Sequence, residues 1–182
     1  MGKYVLKWCS VGKVKDIYSV IREQPESASA KLYPQLSPPG VYLFLDDSKR
    51  VIDVGEANPK ARMKLRHRIR NEIYHTSYFA NKLVKLGMDR NAQLELSVKV
   101  ATVEQGIDFL GSSPEEVDNH LRIIERALIC ETDPWSNSHG GVNEWRKEDV
   151  EIVNLDDHDP LDQTITCLEG RKCPKKWSHQ QV

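Results

Sequence analysis

Two short β-favouring runs, closely spaced and joined by turn residues, constrain this chain more than any other feature. Val41, Tyr42, Leu43, Phe44 and Leu45 form an unbroken aliphatic and aromatic run, and Val51 to Val54 resumes the same character. Between them, Asp46-Asp47-Ser48-Lys49 supplies residues that turn a chain by hydrogen-bonding their own backbone. The economical reading is a β-hairpin, opened by Pro39-Gly40 and closed by Gly55.

Helical signals follow the hairpin. Asn58-Pro59 reads as an N-cap with proline at the first helical position, and Ala61, Leu65, Ile69 and Ile73 place one apolar face on a helix from Pro59 to about His75. Ser113-Pro114-Glu115-Glu116 is a capping box, opening a helix to about Cys130 that contains Glu125. Leu94 to Val103 alternates as a strand, and Ser77 to Leu86 reads as a short helix stopped by Gly87. Val11 to Ile21 reads as an amphipathic helix, Gln24 to Pro38 as a connector, and Val150 to Leu155 as an acidic β-like segment. The predicted fold class is α/β: a small central antiparallel three-stranded sheet flanked by helices. An N-terminal extension (1–38) and a C-terminal extension (139–182) bracket a core at 39–138.

A chain of 182 residues with 39% hydrophobic content can bury one sizeable core. It has no apolar run able to span a bilayer and no signal-peptide core after Met1, so a cytoplasmic protein without membrane contact is expected. Cys9, Cys130, Cys167 and Cys173 lack disulfide-scaffold density, and Cys130 is expected as a reduced, buried thiol. Cys167, Cys173 and His179 have metal-binding side chains but no paired Cys-x-x-Cys, so a solvated tail is preferred over zinc. Net charge is only −1, yet it is segregated: Lys60 to Arg90 is basic, opposed only by Glu72 and Asp89, whereas Glu144 to Asp162 is acidic. At helical spacing Arg62, Arg66 and Arg70 form one stripe, and Arg68, Glu72 and His75 border the other side of the apolar face.

In this order the segments resemble the GIY-YIG nuclease family. Gly40-Val41-Tyr42 and Asp53-Val54-Gly55 stand where that family has its two name triplets. Leu65 to Asn71 is similar to its first helix, and Glu125-Arg126-Ala127-Leu128-Ile129 with Pro134-Trp135-Ser136-Asn137 to its glutamate helix and Pro-x-x-Asn ending. The resemblance implies a metal-dependent endonuclease that hydrolyses DNA phosphodiester bonds, of restriction or mobile-element type, with DNA as partner and room for a homodimer. It implies Tyr42 as proton acceptor or orienter of the attacking water, Arg68 as phosphate contact, and Glu125 as ligand of Mg²⁺ or Mn²⁺. Gly40, Gly55 and Asn137 would be structural, and Arg62, Lys64, Arg66 and Arg70 would track the DNA backbone. Three departures add negative charge: Asp53 replaces the second tyrosine, and Glu56 and Glu72 stand where many members carry other side chains. Either the site is adapted, with Asp53 or Glu72 helping to hold an ion, or it has decayed into a nucleic-acid-binding module. His75 is the candidate replacement base, with Tyr74 and Tyr78 as alternatives. A protein-interaction role would be favoured if the basic helix packed against the acidic segment Glu144 to Asp162.

Overall fold

The computed structural model describes residues 2–57, 64–105, 113–136, 144–145 and 148–174. Its strands are β1 (Gly2–Lys13), β2 (Gly40–Leu45), β3 (Val51–Ala57), β4 (Ser97–Gln105), β5 (Val150–Asp156) and β6 (Thr164–Cys167). Its helices are α1 (Val14–Glu23), α2 (Glu26–Leu32), α3 (Leu65–Ile73), α4 (Tyr78–Lys85), α5 (Arg90–Glu95) and α6 (Pro114–Thr132), with a 3-10 turn at Pro34–Leu36. The α/β class holds. The sheet, however, has six strands in the order β3-β2-β4-β1-β5-β6, where the sequence led us to expect three. The three expected strands are contiguous within it as β3-β2-β4, antiparallel throughout. The other three come from the extensions, which do not stand apart: β1 pairs antiparallel with β4 and parallel with β5, and β6 closes the far edge.

The sheet packs on both faces. Strand alternation sends Val41, Leu43 and Leu45 of β2 to one side, where Tyr4, Leu6 and Trp8 of β1 and Val117, Leu121, Ile124 and Leu128 of α6 close the core. Tyr42 and Phe44 point to the other side, among Ile17 and Ile21 of α1, Leu65, Ile69 and Ile73 of α3, and Phe79 and Leu83 of α4. The hairpin turn is made by Asp46, whose Oδ1 accepts from the Ser48 and Arg50 backbone N–H groups (both 2.9 Å). The capping box at α6 forms as expected: Ser113 Oγ accepts from the Glu116 N–H (3.2 Å) and Glu116 Oε2 from the Ser113 N–H (2.8 Å).

Several element boundaries differ from expectation for local reasons. Helix α3 starts at Leu65 with Lys64 as its N-cap and ends at Ile73, where Tyr74 turns to extended geometry. His75 is therefore not on this helix, while Asn58, Pro59 and Ala61 lie outside the described residues. Leu94 belongs to α5, nucleated by Asp89 accepting from the Ala92 N–H (2.9 Å), so β4 begins only at Ser97. Val11 continues β1 rather than opening α1, which begins at Val14.

The cysteine expectation is overturned. Cys130 of α6 forms a disulfide with Cys173, because the described part of the C-terminal segment, up to Pro174, folds back onto α6. The Trp145 N–H donates to the Arg171 carbonyl and the Trp145 carbonyl accepts from the Gly170 N–H (both 2.8 Å), and Arg171 Nη2 pairs with Glu131 Oε2 at 2.8 Å. Cys173 is in a disulfide and so is not free for the Cys167, Cys173, His179 metal arrangement, of which His179 lies outside the described residues.

Candidate active site

The site is built where β2 and β3 pair near the sheet edge. Tyr42 stands opposite Gly55 and Phe44 opposite Asp53, so Tyr42 and Asp53 share the face covered by α3. The Tyr42 ring lies over Gly55 so closely that a Cβ there would overlap the phenol oxygen and its ring carbon, which is why this position is glycine. Gly40 answers a different constraint: a Cβ would collide with the Ala101 carbonyl oxygen of β4. Tyr42 is fully buried. Burial above all, and then the Asp53 and Glu72 carboxyls, push its phenol well above the ordinary value, against the pull of the neighbouring Arg68 guanidinium.

Helix α3 presents Arg68 and Glu72 one turn apart, joined by an ion pair of 2.9 Å between Nη2 and Oε1. Asp53 is 8% exposed and accepts a hydrogen bond from Ser136 Oγ. Burial raises its carboxyl to about 8; Glu72 and Glu125 add to the rise, while the Ser136 bond and Lys82 oppose it. At neutral pH Asp53 is therefore largely protonated and carries no full charge beside Tyr42.

Glu125 arrives from the opposite face of the sheet, on α6. Asp118, Arg122 and Glu125 follow the i, i+4, i+7 spacing of one helical row. Arg122 Nη2 pairs with Asp118 Oδ2 at 3.0 Å, and its Nε lies 4.0 Å from Glu56 Oε1 on β3. Burial first, and Glu56 second, raise Glu125 to about 7, with Arg68, Arg126 and Arg122 pulling the other way. Glu56 is itself raised, by burial and by Asp118. Glu125 thus interacts with groups on both sides of the edge strand: Glu56 and Arg122 on its own side, Arg68 and Asp53 on the Tyr42 side.

Three buried polar atoms here have no hydrogen-bond partner: Arg68 Nε, Glu56 Oε2 and Asp118 Oδ1. Buried donors and acceptors are normally satisfied, so one idle donor and two idle acceptors around one site suit a ligand offering both negative oxygens and positive charge. Among the described residues no group of three or more His, Cys, Asp and Glu side chains gathers closely enough to hold a metal ion. A hard cation held by one or two carboxylates and completed by water needs no such group.

The expected DNA-tracking stripe is not a continuous surface. Lys64 and Arg70 are exposed, but Arg66 is 7% exposed and takes no part in an open basic face, because α3 rolls it inward beside Leu65. Arg62 and Asn137 lie outside the described residues. His75 is exposed after the end of α3, its ring 4.6 Å from that of Tyr74. Helix α3 packs on α1, α4, β2 and β3, whereas the acidic strand β5 lies beyond β4 and β1, so the basic helix is not buried against it.

Sequence reasoning missed Ser136, Lys82 and Asp118. Ser136 was visible inside Pro134-Trp135-Ser136-Asn137, and its backbone N–H also bonds the Ile52 carbonyl at 2.8 Å, fastening that loop to β3. Asp118 was visible seven residues before Glu125, at the spacing that puts both on one row. No protein-family model, curated protein or solved structure matches the chain. No helix of the described residues is long and apolar enough to cross a membrane.

Proposed function

We propose that this chain is a metal-dependent endonuclease of the GIY-YIG type, hydrolysing DNA phosphodiester bonds. The observation that carries the reading is the unpartnered, buried Nε of Arg68, set beside the Tyr42 phenol and within electrostatic reach of Glu125. A guanidinium N–H held out of water without an acceptor is prepared for an anionic oxygen, and a phosphoryl group offers several. Mg²⁺ or Mn²⁺ is the implied cofactor. Glu125 would hold it, with the idle Glu56 Oε2 as the neighbouring acceptor, and the residues present fit a hard cation. When bound, that ion supplies neutralisation of charge on the phosphoryl and leaving oxygens.

The protein groups then divide the remaining work. Arg68 binds a phosphoryl oxygen through Nε while Glu72 fixes the far side of its guanidinium. Tyr42, protonated in its buried position, would orient the attacking water by hydrogen bonding, and the proton that this water loses would pass to solvent. Asp53, neutral and held by Ser136, keeps a second negative charge away from the phosphate.

Two observations favour a second reading, a binding module without cleavage. Glu72 already occupies Arg68 Nη2, and the tyrosine expected at position 53 is an aspartate buried against Ser136. Both readings are separated by incubating the protein with supercoiled plasmid and with branched DNA in Mg²⁺, Mn²⁺ and EDTA, alongside Glu125→Ala. Divalent-dependent cleavage by wild type, lost in a folded Glu125→Ala protein, is the expected result. Binding without cleavage under every ion would sink the nuclease reading, and cleavage undiminished in Glu125→Ala would place the metal elsewhere.

A further inference from the structure

The turn from α3 into α4 exposes aromatic rings that no part of the core uses. Tyr78 is 83% exposed and Tyr74 41%, and with Val84 they make three of the large hydrophobic side chains left in solvent among the described residues. Ring exposure on this scale in a tightly tied segment is not fraying. The Ser77 N–H bonds the Tyr74 carbonyl at 2.8 Å, Ser77 Oγ bonds the Glu72 carbonyl, and Ser77 caps α4 by accepting from the Ala80 N–H at 2.9 Å. The backbone is fixed and the rings are held out from it, with His75 lying against Tyr74.

Along the stretch of chain that carries these rings, charge has nearly one sign. From Lys64 to Met88 the only carboxylate is Glu72, and it is paired with Arg68. On α4, Tyr78, Lys82 and Lys85 follow the i, i+4, i+7 spacing, opposite the buried Phe79, Ala80 and Leu83. Arg70 is exposed on α3 one turn before Tyr74. The stripe also runs beside the candidate active site: Phe79 of α4 stacks on Phe44 with ring centroids 5.1 Å apart, Phe44 stands opposite Asp53, and Lys82 at the middle of the row acts on the Asp53 carboxyl. Exposed rings alternating with unopposed cations are what a polyanion with accessible bases requires, the rings taking base faces and the cations the phosphates. A blunt duplex keeps its bases stacked on each other and offers these rings nothing.

On this basis we infer that Tyr74, His75 and Tyr78, with Lys82, Lys85 and Arg70, form a stacking surface for an unpaired strand of nucleic acid leading into the site. The inference rests on the nucleic-acid reading above and narrows it: the substrate class is one with a single-stranded segment beside the scissile phosphate. Stacking of one base is worth on the order of 1–3 kcal/mol by alanine substitution, which corresponds to roughly 5- to 150-fold in affinity.

The test is binding of the full chain in EDTA, where cleavage cannot interfere, to a labelled oligo-dT carrying 2-aminopurine and to a blunt duplex of the same length. Tyr78→Ala should weaken single-strand binding by roughly tenfold and abolish quenching of the 2-aminopurine, while leaving duplex binding unchanged. Tyr78→Phe, which keeps the ring, should retain both. Joint Lys82→Gln and Lys85→Gln should reduce the slope of log affinity against log salt by about 1.4. Single-strand affinity and quenching unchanged in Tyr78→Ala would overturn the inference, and so would wild-type binding confined to the blunt duplex. The two readings fail separately. Cleavage of DNA with no dependence of single-strand binding on Tyr78 would overturn only the stacking surface. Tyr78-dependent binding by a wild type that cuts nothing would support the surface and overturn the nuclease.

Discussion

Asp53→Asn tests the electrostatic heart of the site without needing a substrate. In the folded protein burial raises the Asp53 carboxyl from 3.8 to about 8. Below the unfolded value both states hold the proton, and the group contributes nothing to the pH dependence. Between 3.8 and about 8 the unfolded chain ionises while the folded protein keeps its proton, so stability is lost as pH rises. The slope is about 1.4 kcal/mol per pH unit, and the loss saturates near 6 kcal/mol above the folded value, an upper figure. Asparagine keeps a carbonyl acceptor for Ser136 Oγ and cannot ionise. Urea unfolding of wild type and Asp53→Asn at pH 5, 6 and 7 should therefore show the variant's relative stability rising by about 1.4 kcal/mol per unit, or about 2.7 kcal/mol across the range. Glu125, raised to about 7, drifts in the same direction. It is present in both proteins, and Asp53 is largely protonated across the assay, so the difference isolates position 53. A stability difference that stays constant with pH would refute the argument and mean that Asp53 is ionised in the fold.

Other substitutions probe the supports of the site. Gly55→Ala should cost about 1–3 kcal/mol in urea unfolding, because the new methyl meets the Tyr42 phenol; Tyr42→Ala in the same background should relieve that clash, giving a non-additive double mutant. Cys173→Ser removes a disulfide spanning 43 residues and should lower stability by up to about 4 kcal/mol under non-reducing conditions, with wild type matching it once reduced. Recovery of two unlinked thiols at these positions from oxidised protein by peptide mapping would refute the pairing. Ser113→Ala should cost about 1 kcal/mol through the loss of one half of the α6 capping box, seen as a lower urea midpoint at unchanged m.

Much of the site's scaffolding was legible in residue order because it depends on local chemistry. The hairpin follows from β-favouring runs around Asp46, the α6 start from Ser113 and Glu116, and the α4 start from Ser77, each determined within a few residues. Strand β1 was missed, since residues 1–38 read as an extension and connector, although Tyr4, Leu6 and Trp8 alternate with Lys3 and Lys7, and nothing local showed its place between β4 and β5. Pairing between segments about a hundred residues or more apart is selected by which faces can bury together, and no local pattern encodes that.

Residue order was enough for the hairpin, the starts of α4 and α6, and the residue types at Tyr42, Arg68 and Glu125, since propensity, capping and periodicity act over a turn or two of chain. Packing is what buries Arg66, sets Asp53 against Ser136 with its proton retained, and brings Cys130 to Cys173. Only it left Arg68 Nε, Glu56 Oε2 and Asp118 Oδ1 idle around one edge of the sheet. Those outcomes depend on desolvation and on which groups from distant segments come within a few ångströms, and both are properties of the packed molecule rather than of any stretch of its chain.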